Sequence, residues 1–227
     1  MDVSIWPVVS LSLQVALTAT MAALPLALVV AVVLSRARFP GHWLLNVLVH
    51  LPLILPPVVT GYLLLLLFGR RGAIGAWLAD LGIVFAFNWT GAALAAGVMS
   101  FPLMVRAIRL AVDAVDVRVE AASRNLGAGP VATFVFVTLP LIAPGILAGM
   151  VIAFAKALGE FGATITFVSN IPGQTRTLPL AIYTELQVPG GEEGALVLVA
   201  ISVAISVVAL FGSEILATRT AKWVRGH

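Results

Sequence analysis

Cysteine is absent from this sequence, so neither a disulfide nor a thiolate-bound metal enters its design. Charge is scarce as well. Only 10% of the 227 residues are Asp, Glu, Lys or Arg, against roughly 25% in a soluble domain, and a water-facing globule of this length would be left with too little polar surface. Lysine occurs only at Lys156 and Lys222, and neither follows a glycine-rich loop. No G-x-x-x-x-G-K-[ST] run is present, which excludes the usual ATP site. A membrane-embedded enzyme would need a nucleophile–base pair or a metal cluster, and no H-E-x-x-H occurs; no catalytic and no metal-binding residue is assigned. The net charge of +3 comes from basic residues that form no cluster with interleaved aromatics, so nucleic acid is not an expected partner.

What is there is apolar. Hydrophobic residues make up 61% of the chain, and the mean hydropathy of +1.10 places it in a lipid bilayer. A bilayer core about 30 Å thick takes roughly 20 apolar residues as helix, so long windows without Asp, Glu, Lys or Arg mark the spans. Such windows predict an all-α integral membrane protein in one transmembrane domain, residues 1–227. Its spans fall near 9–34, 44–68, 89–111, 134–158 and 195–217. Connectors cover 113–133 and 160–194; the apolar stretch between Glu160 and Arg176 is too short for a span and is broken by Gly162 and by Asn170-Ile-Pro-Gly173. The N-terminus has no basic start and no small-residue cleavage site, so the first apolar stretch is expected to stay in the membrane.

Basic residues bias the orientation. With the N-terminus outside and the C-terminus inside, Arg36, Arg38, Arg106, Arg109, Arg118, Arg124, Arg219, Lys222 and Arg225 all lie inside. Only Arg70, Arg71 and Arg176 fall in outer loops, with Lys156 near an outer helix end. N-out, C-in satisfies the positive-inside rule and the inverse does not. Span two carries Pro52, Pro56 and Pro57, then Thr60 and Gly61. Proline is commoner in membrane helices than in soluble ones, yet three in one span favour a helix that lines a wet path, where freed carbonyls find partners.

The inner connector reads Asp113-Ala-Val-Asp-Val-Arg-Val-Glu120-Ala-Ala-Ser-Arg-Asn-Leu-Gly127-Ala-Gly-Pro130 and runs on to Thr138-Leu-Pro140. Val115, Val119, Ala122 and Leu126 recur at helical spacing, and Gly127 is a natural stop. Ala121 and Ala122 allow a partner close approach. The plain alternative is a helix resting on lipid headgroups; that would favour Lys and large aromatics, and the stretch has neither.

This connector resembles the "EAA" signature of ABC-importer permeases, a Glu-Ala-Ala, three residues, Gly, and a Leu-Pro about a dozen residues later. Glu120, Ala121, Ala122, Gly127 and Leu139-Pro140 match by type. One extra residue separates Ala122 from Gly127, so the usual Glu position falls on Ala121 and emphasis moves from Glu120 to Ala121, Ala122, Leu126 and Gly127. Three further runs, Pro52–Tyr62, Ser100–Arg109 and Leu158–Gly173, look like the permeases of bacterial molybdate importers. The Gly-Glu-Phe-Gly run within the last is shared with the related sulfate/thiosulfate permeases. The resemblance covers nearly the whole chain.

The resemblance implies the methionine-importer-like (MetI-like) permease fold, a cytoplasmic coupling helix, a homodimer, a pair of cytoplasmic ABC ATPases and a periplasmic oxyanion-binding protein, in a bacterial inner membrane. It implies no cofactor on this chain, ATP and Mg being held by the ATPase. Molybdate is then the expected cargo, with tungstate as a companion and sulfate/thiosulfate as the alternative; a secondary transporter would show an internal repeat. A dianion moving toward a negative interior faces about 5 kcal/mol at 100 mV, so an external motor is required. Outer loops from Ile171 to Gly194 are the expected landing surface for the binding protein.

For the path itself the residues are Pro56, Pro57, Thr60, Ser100, Lys156, Glu160 and Thr164, with Thr166 as a further hydroxyl. Lys156 and Glu160, four apart on one helix face, read either as an anion-attracting gate or as a self-satisfied pair at a helix end. The hydroxyls read either as oxyanion donors or as bonds to their own backbone. Arg106 and Arg109 read as inner anchors, His42 and His50 as packed or interfacial residues.

Overall fold

The structure, a computed structural model, describes residues 5–225, with side chains described through Gly212 and at Ile215. Arg219, Lys222 and Arg225, counted above as inner charges, lie outside the described side chains, and Asp2 outside the described residues. The chain forms α1 (Ile5–Arg36), α2 (His42–Ile54), α3 (Pro57–Phe68), α4 (Gly75–Asp80), α5 (Trp89–Asp113) and α6 (Val117–Asn125). After these come α7 (Pro130–Thr133), α8 (Leu139–Leu158), α9 (Gly162–Val168), α10 (Leu178–Glu185) and α11 (Glu192–Arg225). A π-helical turn, Phe134–Thr138, joins α7 to α8.

Among the described residues four helical segments are long and apolar enough to cross a membrane: Ile5–Arg36, Trp89–Asp113, Pro130–Leu158 and Glu192–Gly212. The window expected as span two is a pair of helices, α2 and α3, bent by 115°. Local sterics account for the break. A residue before proline is pushed out of the α region, and both Leu55 (ψ 139°) and Pro56 (ψ 135°) precede a proline and are extended. Pro57 then restarts the helix at its first position, where the missing N–H costs nothing.

Small residues set the packing. Apolar side chains gain little from leaving lipid for one another, so close backbone approach and dispersion hold membrane helices together. α5 is central, with α1 and α8 along its sides. The seams are alanine-rich: Ala16, Ala19, Ala27 and Ala31 on α1, and Ala92, Ala93, Ala95 and Ala96 on α5, are all buried. Exposed large side chains are apolar instead, including Leu48, Ile54, Leu66, Leu196 and Val208. That inside-out distribution is what lipid as a solvent requires.

The 160–194 connector is not a plain loop. α8 ends at Leu158, and α9 begins three residues after Gly159 and packs on α3. A Cβ on Gly162 would sit 2.7 Å from the Cβ of Pro57, so only glycine lets the two chain breaks touch. Beyond α9 the chain closes a compact turn. The Ile171 carbonyl accepts from the N–H groups of Gln174, Thr175 and Arg176, and the buried Thr175 hydroxyl donates to the Ser169 carbonyl at 3.1 Å.

A candidate motor-docking helix and a break site

α6 is capped at both ends. The Asp116 carboxylate accepts from the Arg118 N–H at 2.9 Å at its start. At its end Gly127 takes φ +92°, and the Gly127 and Ala128 N–H groups bond the carbonyls of Arg124 and Ser123. This is a Schellman closure, and it needs glycine at the left-handed position. α6 therefore stands as a stiff short helix although it is only nine residues long.

Its apolar face looks outward. Val115, the first of the four positions at helical spacing, is buried in the bundle, whereas Val119, Ala121 and Ala122 are open and Leu126 is 90% exposed. Glu120 is the one buried residue of α6, 8% exposed. Its carboxylate turns inward: Oε1 accepts from the Thr138 hydroxyl at 2.9 Å and from Arg36 Nη2 at 3.2 Å. Arg124, one turn on, pairs with Oε2 at 3.7 Å. The same Arg36 nitrogen donates to the Val112 carbonyl at 3.2 Å, in the last turn of α5. Neighbouring ties run alongside, with the Ser35 hydroxyl donating to Asp113 and Arg109 donating to Asn46 at 3.1 Å.

Pro140 explains the turn beside this node. It lacks an N–H, and its ring crowds the carbonyl four residues back. The preceding turn widens, and the Leu139 N–H bonds Phe134 five residues earlier. Pro140 thus shapes the start of α8, where it is half-buried.

The break between α8 and α9 gathers other residues expected to matter. Lys156 Nζ donates to Glu160 Oε2 at 2.6 Å, and Glu160 Oε1 accepts from the Ala163 N–H at 3.0 Å, capping α9. The Glu160 side chain is only 1% exposed, while that of Lys156 is 32% exposed. Pro57 and Gly61 of α3 lie against Gly162 and Ala163. Thr60, also on α3, is buried, and its Oγ1 has no hydrogen-bond partner among the described residues. Thr164 is buried on α9 and Pro56 is exposed at the break. Ser100 and Thr166 donate to the carbonyls of Gly97 (3.2 Å) and Gly162 (2.9 Å) within their own helices. His42 and His50 pair with the Leu34 and Asn46 carbonyls. Among the described residues no cluster of metal-ligating side chains occurs.

A cavity of about 680 Å³ between α1, α2 and α5 includes Ala22, Leu26, Leu48, Val98 and Phe101 in its lining. Thr18 and Thr90 are its only side-chain hydrogen-bonding groups, and no cation faces it, so it offers an anion nothing to replace its water.

Sequence reasoning missed the inward turn of Glu120 and its partners Arg36 and Thr138. Arg36 carried a signal, being a basic residue at the end of a span, but its carboxylate partner is 84 residues away.

The bundle of membrane-length apolar helices, with α6 outside them, is that of a multi-pass membrane protein. The family model for binding-protein-dependent transport system inner membrane components matches residues 23–222, and the chain belongs to that family. It is 59% identical over 213 residues to the molybdenum transport system permease protein ModB of Escherichia coli (strain K12), covering 93% of each chain. Identity to the Haemophilus influenzae protein of the same description is 49% over 215 residues, with 94% of each covered. Among solved structures, the inward-facing MetNI methionine ABC transporter matches with a TM-score of 0.71 at 14% identity, over 95% of this chain and 94% of that one. That match concerns the fold.

Proposed function

We propose that this chain is the permease subunit of an ATP-driven importer of molybdate, with tungstate as a companion cargo. Two copies form the path, a pair of ABC ATPases binds on the cytoplasmic side, and a periplasmic oxyanion-binding protein delivers the anion. In this reading the N-terminus is outside and the C-terminus inside, the chain is one transmembrane domain, and α6 is the coupling helix. The observation that carries the coupling role is Leu126, 90% exposed on a doubly capped helix outside the spans. Val117, Val119 and Val131 are exposed on the same connector, and apolar residues grouped on a surface outside the spans mark an interaction site. Ala121 and Ala122 let a groove close on it, and Gly127 and Pro140 hold the connector's shape. Molybdate is supported by the 59% identity to a molybdenum permease over nearly the full length.

The path runs beside the two touching breaks, where Pro56, Pro57, Thr60, Lys156, Glu160 and Thr164 gather. Thr60 supports this most, since a buried hydroxyl without a partner is costly unless something passing uses it. Lys156 and Glu160 satisfy each other in this structure. Ser100 spends its hydroxyl on its own helix and contributes shape instead. The bend in α2–α3 supports the reading too, because discontinuous membrane helices are tolerated where they line a cavity. The test is ATP-driven uptake of labelled molybdate into vesicles holding the permease, its ATPase and its binding protein. Unlabelled molybdate or tungstate is expected to compete far better than sulfate; equal competition assigns the system to sulfate instead.

A further inference from the structure

The Glu120 carboxylate sits where four elements converge. Through Arg36 it holds the end of α1 and, by the shared nitrogen, the last turn of α5. Through Thr138 it holds the π-helical turn from which α8 starts. It is itself part of α6 and is braced by Arg124. α6 also packs on the π-helical turn and α7, while its own apolar residues are exposed. There the Ser123 and Thr133 hydroxyls share a hydrogen bond at 3.3 Å. Glu120 is the buried side chain of α6 through which a push on Leu126 reaches the ends of α1, α5 and α8 together.

We infer that Glu120 is a positioning residue that latches the docking helix to α1, α5 and α8, so that motor displacement moves these three helix ends as one body, and that it does not contact the motor. This rests on the functional reading above. It separates two jobs that the sequence merges in one motif: the exposed residues bind the motor, and the buried acid transmits its stroke. The physics favours such a division. A charge-assisted, shielded hydrogen-bond cluster is stiff, and loss of one member leaves the others unpaired. An exposed glutamate would be screened by salt and free to rotate.

The test uses the complete complex in vesicles and reads ATP hydrolysed per molybdate imported. Glu120→Ala is expected to raise that ratio at least fivefold while the ATPase still co-purifies. Glu120→Gln, whose amide oxygen still accepts from Thr138, is expected to fall between wild type and alanine. Arg36→Leu is expected to match Glu120→Ala, and the double variant to be no worse than either single, since both break one latch. Loss of ATPase co-purification from Glu120→Gln, an unchanged ratio in all variants, or additive effects of the two sites would overturn the latch.

A cargo-independent arm uses the absence of cysteine. Spin labels at Arg38→Cys and Val119→Cys, on labelled chains diluted with cysteine-free ones, are expected to give one narrow distance population in the permease and a broadened one after Glu120→Gln or Arg36→Leu. A distribution that the variants leave unchanged overturns the latch even if the cargo is not molybdate. A spin-labelled complex with Glu120 and Arg36 intact that fails to import molybdate while showing the narrow distance refutes the cargo reading alone.

Discussion

Leu126→Ala separates motor docking from folding. Leu126 is 90% exposed, so its truncation removes almost no contact within the permease, and alanine is an excellent helix former. The variant's stability is expected to stay within about 0.5 kcal/mol of the parent. The effect belongs to the complex. Fully burying a leucine is worth about 1.5–3 kcal/mol, and truncation to alanine forfeits most of it, about 2 kcal/mol per copy. That corresponds to roughly a 30-fold weaker Kd for each docking event. The assay is titration of purified ATPase onto the permease in lipid nanodiscs, with thermal unfolding of the permease alone as control. A Kd within threefold of the parent would refute the docking role of Leu126. A lower Tm of the permease alone would show that the side chain is packed, contrary to its exposure.

Other residues give sharp outcomes as well. Gly127→Val places a β-branched residue at φ +92°, a strain of about 1–2 kcal/mol; it is expected to insert normally yet bind the ATPase more weakly, checked by co-purification from membranes. Lys156→Met leaves the Glu160 carboxylate buried without its cation and is expected to destabilise by about 3–5 kcal/mol. Lys156→Met with Glu160→Gln should recover much of that loss in a thermal-shift assay. Thr60→Val keeps the shape and removes a hydroxyl that has no partner; stability is expected to hold while molybdate uptake falls several-fold, and unchanged uptake would remove Thr60 from the path.

Four of the five apolar windows hold helices long and apolar enough to cross a membrane, because charge near a bilayer centre is expensive and that signal is local and strong. The C-terminal end of α6 was legible for the same reason, since Gly127 acts on its nearest neighbours; the Asp116 cap at its start was not read. What could not be read is tertiary. Glu120 carries the same charge whether it faces water or the bundle, and only the fold brings Arg36 to it. Three prolines signalled irregularity in span two, and local sterics at Leu55 and Pro56 make the break; that α9 packs against it through Gly162 is tertiary and could not be read. Lys156 and Glu160 were recognisable as a pair; that Glu160 also caps α9 required the break at Gly159 to be visible.

The claim that α6 is the face at which a motor engages the spans is tested most directly by a single cysteine. In this cysteine-free chain, Leu126→Cys is expected to react with a membrane-impermeant thiol reagent only from the cytoplasmic side. Adding the ATPase should block that reaction, and a short bifunctional cross-linker should join the two subunits. Labelling from the periplasmic side would contradict the orientation, and full reactivity in the presence of saturating ATPase would contradict the docking face.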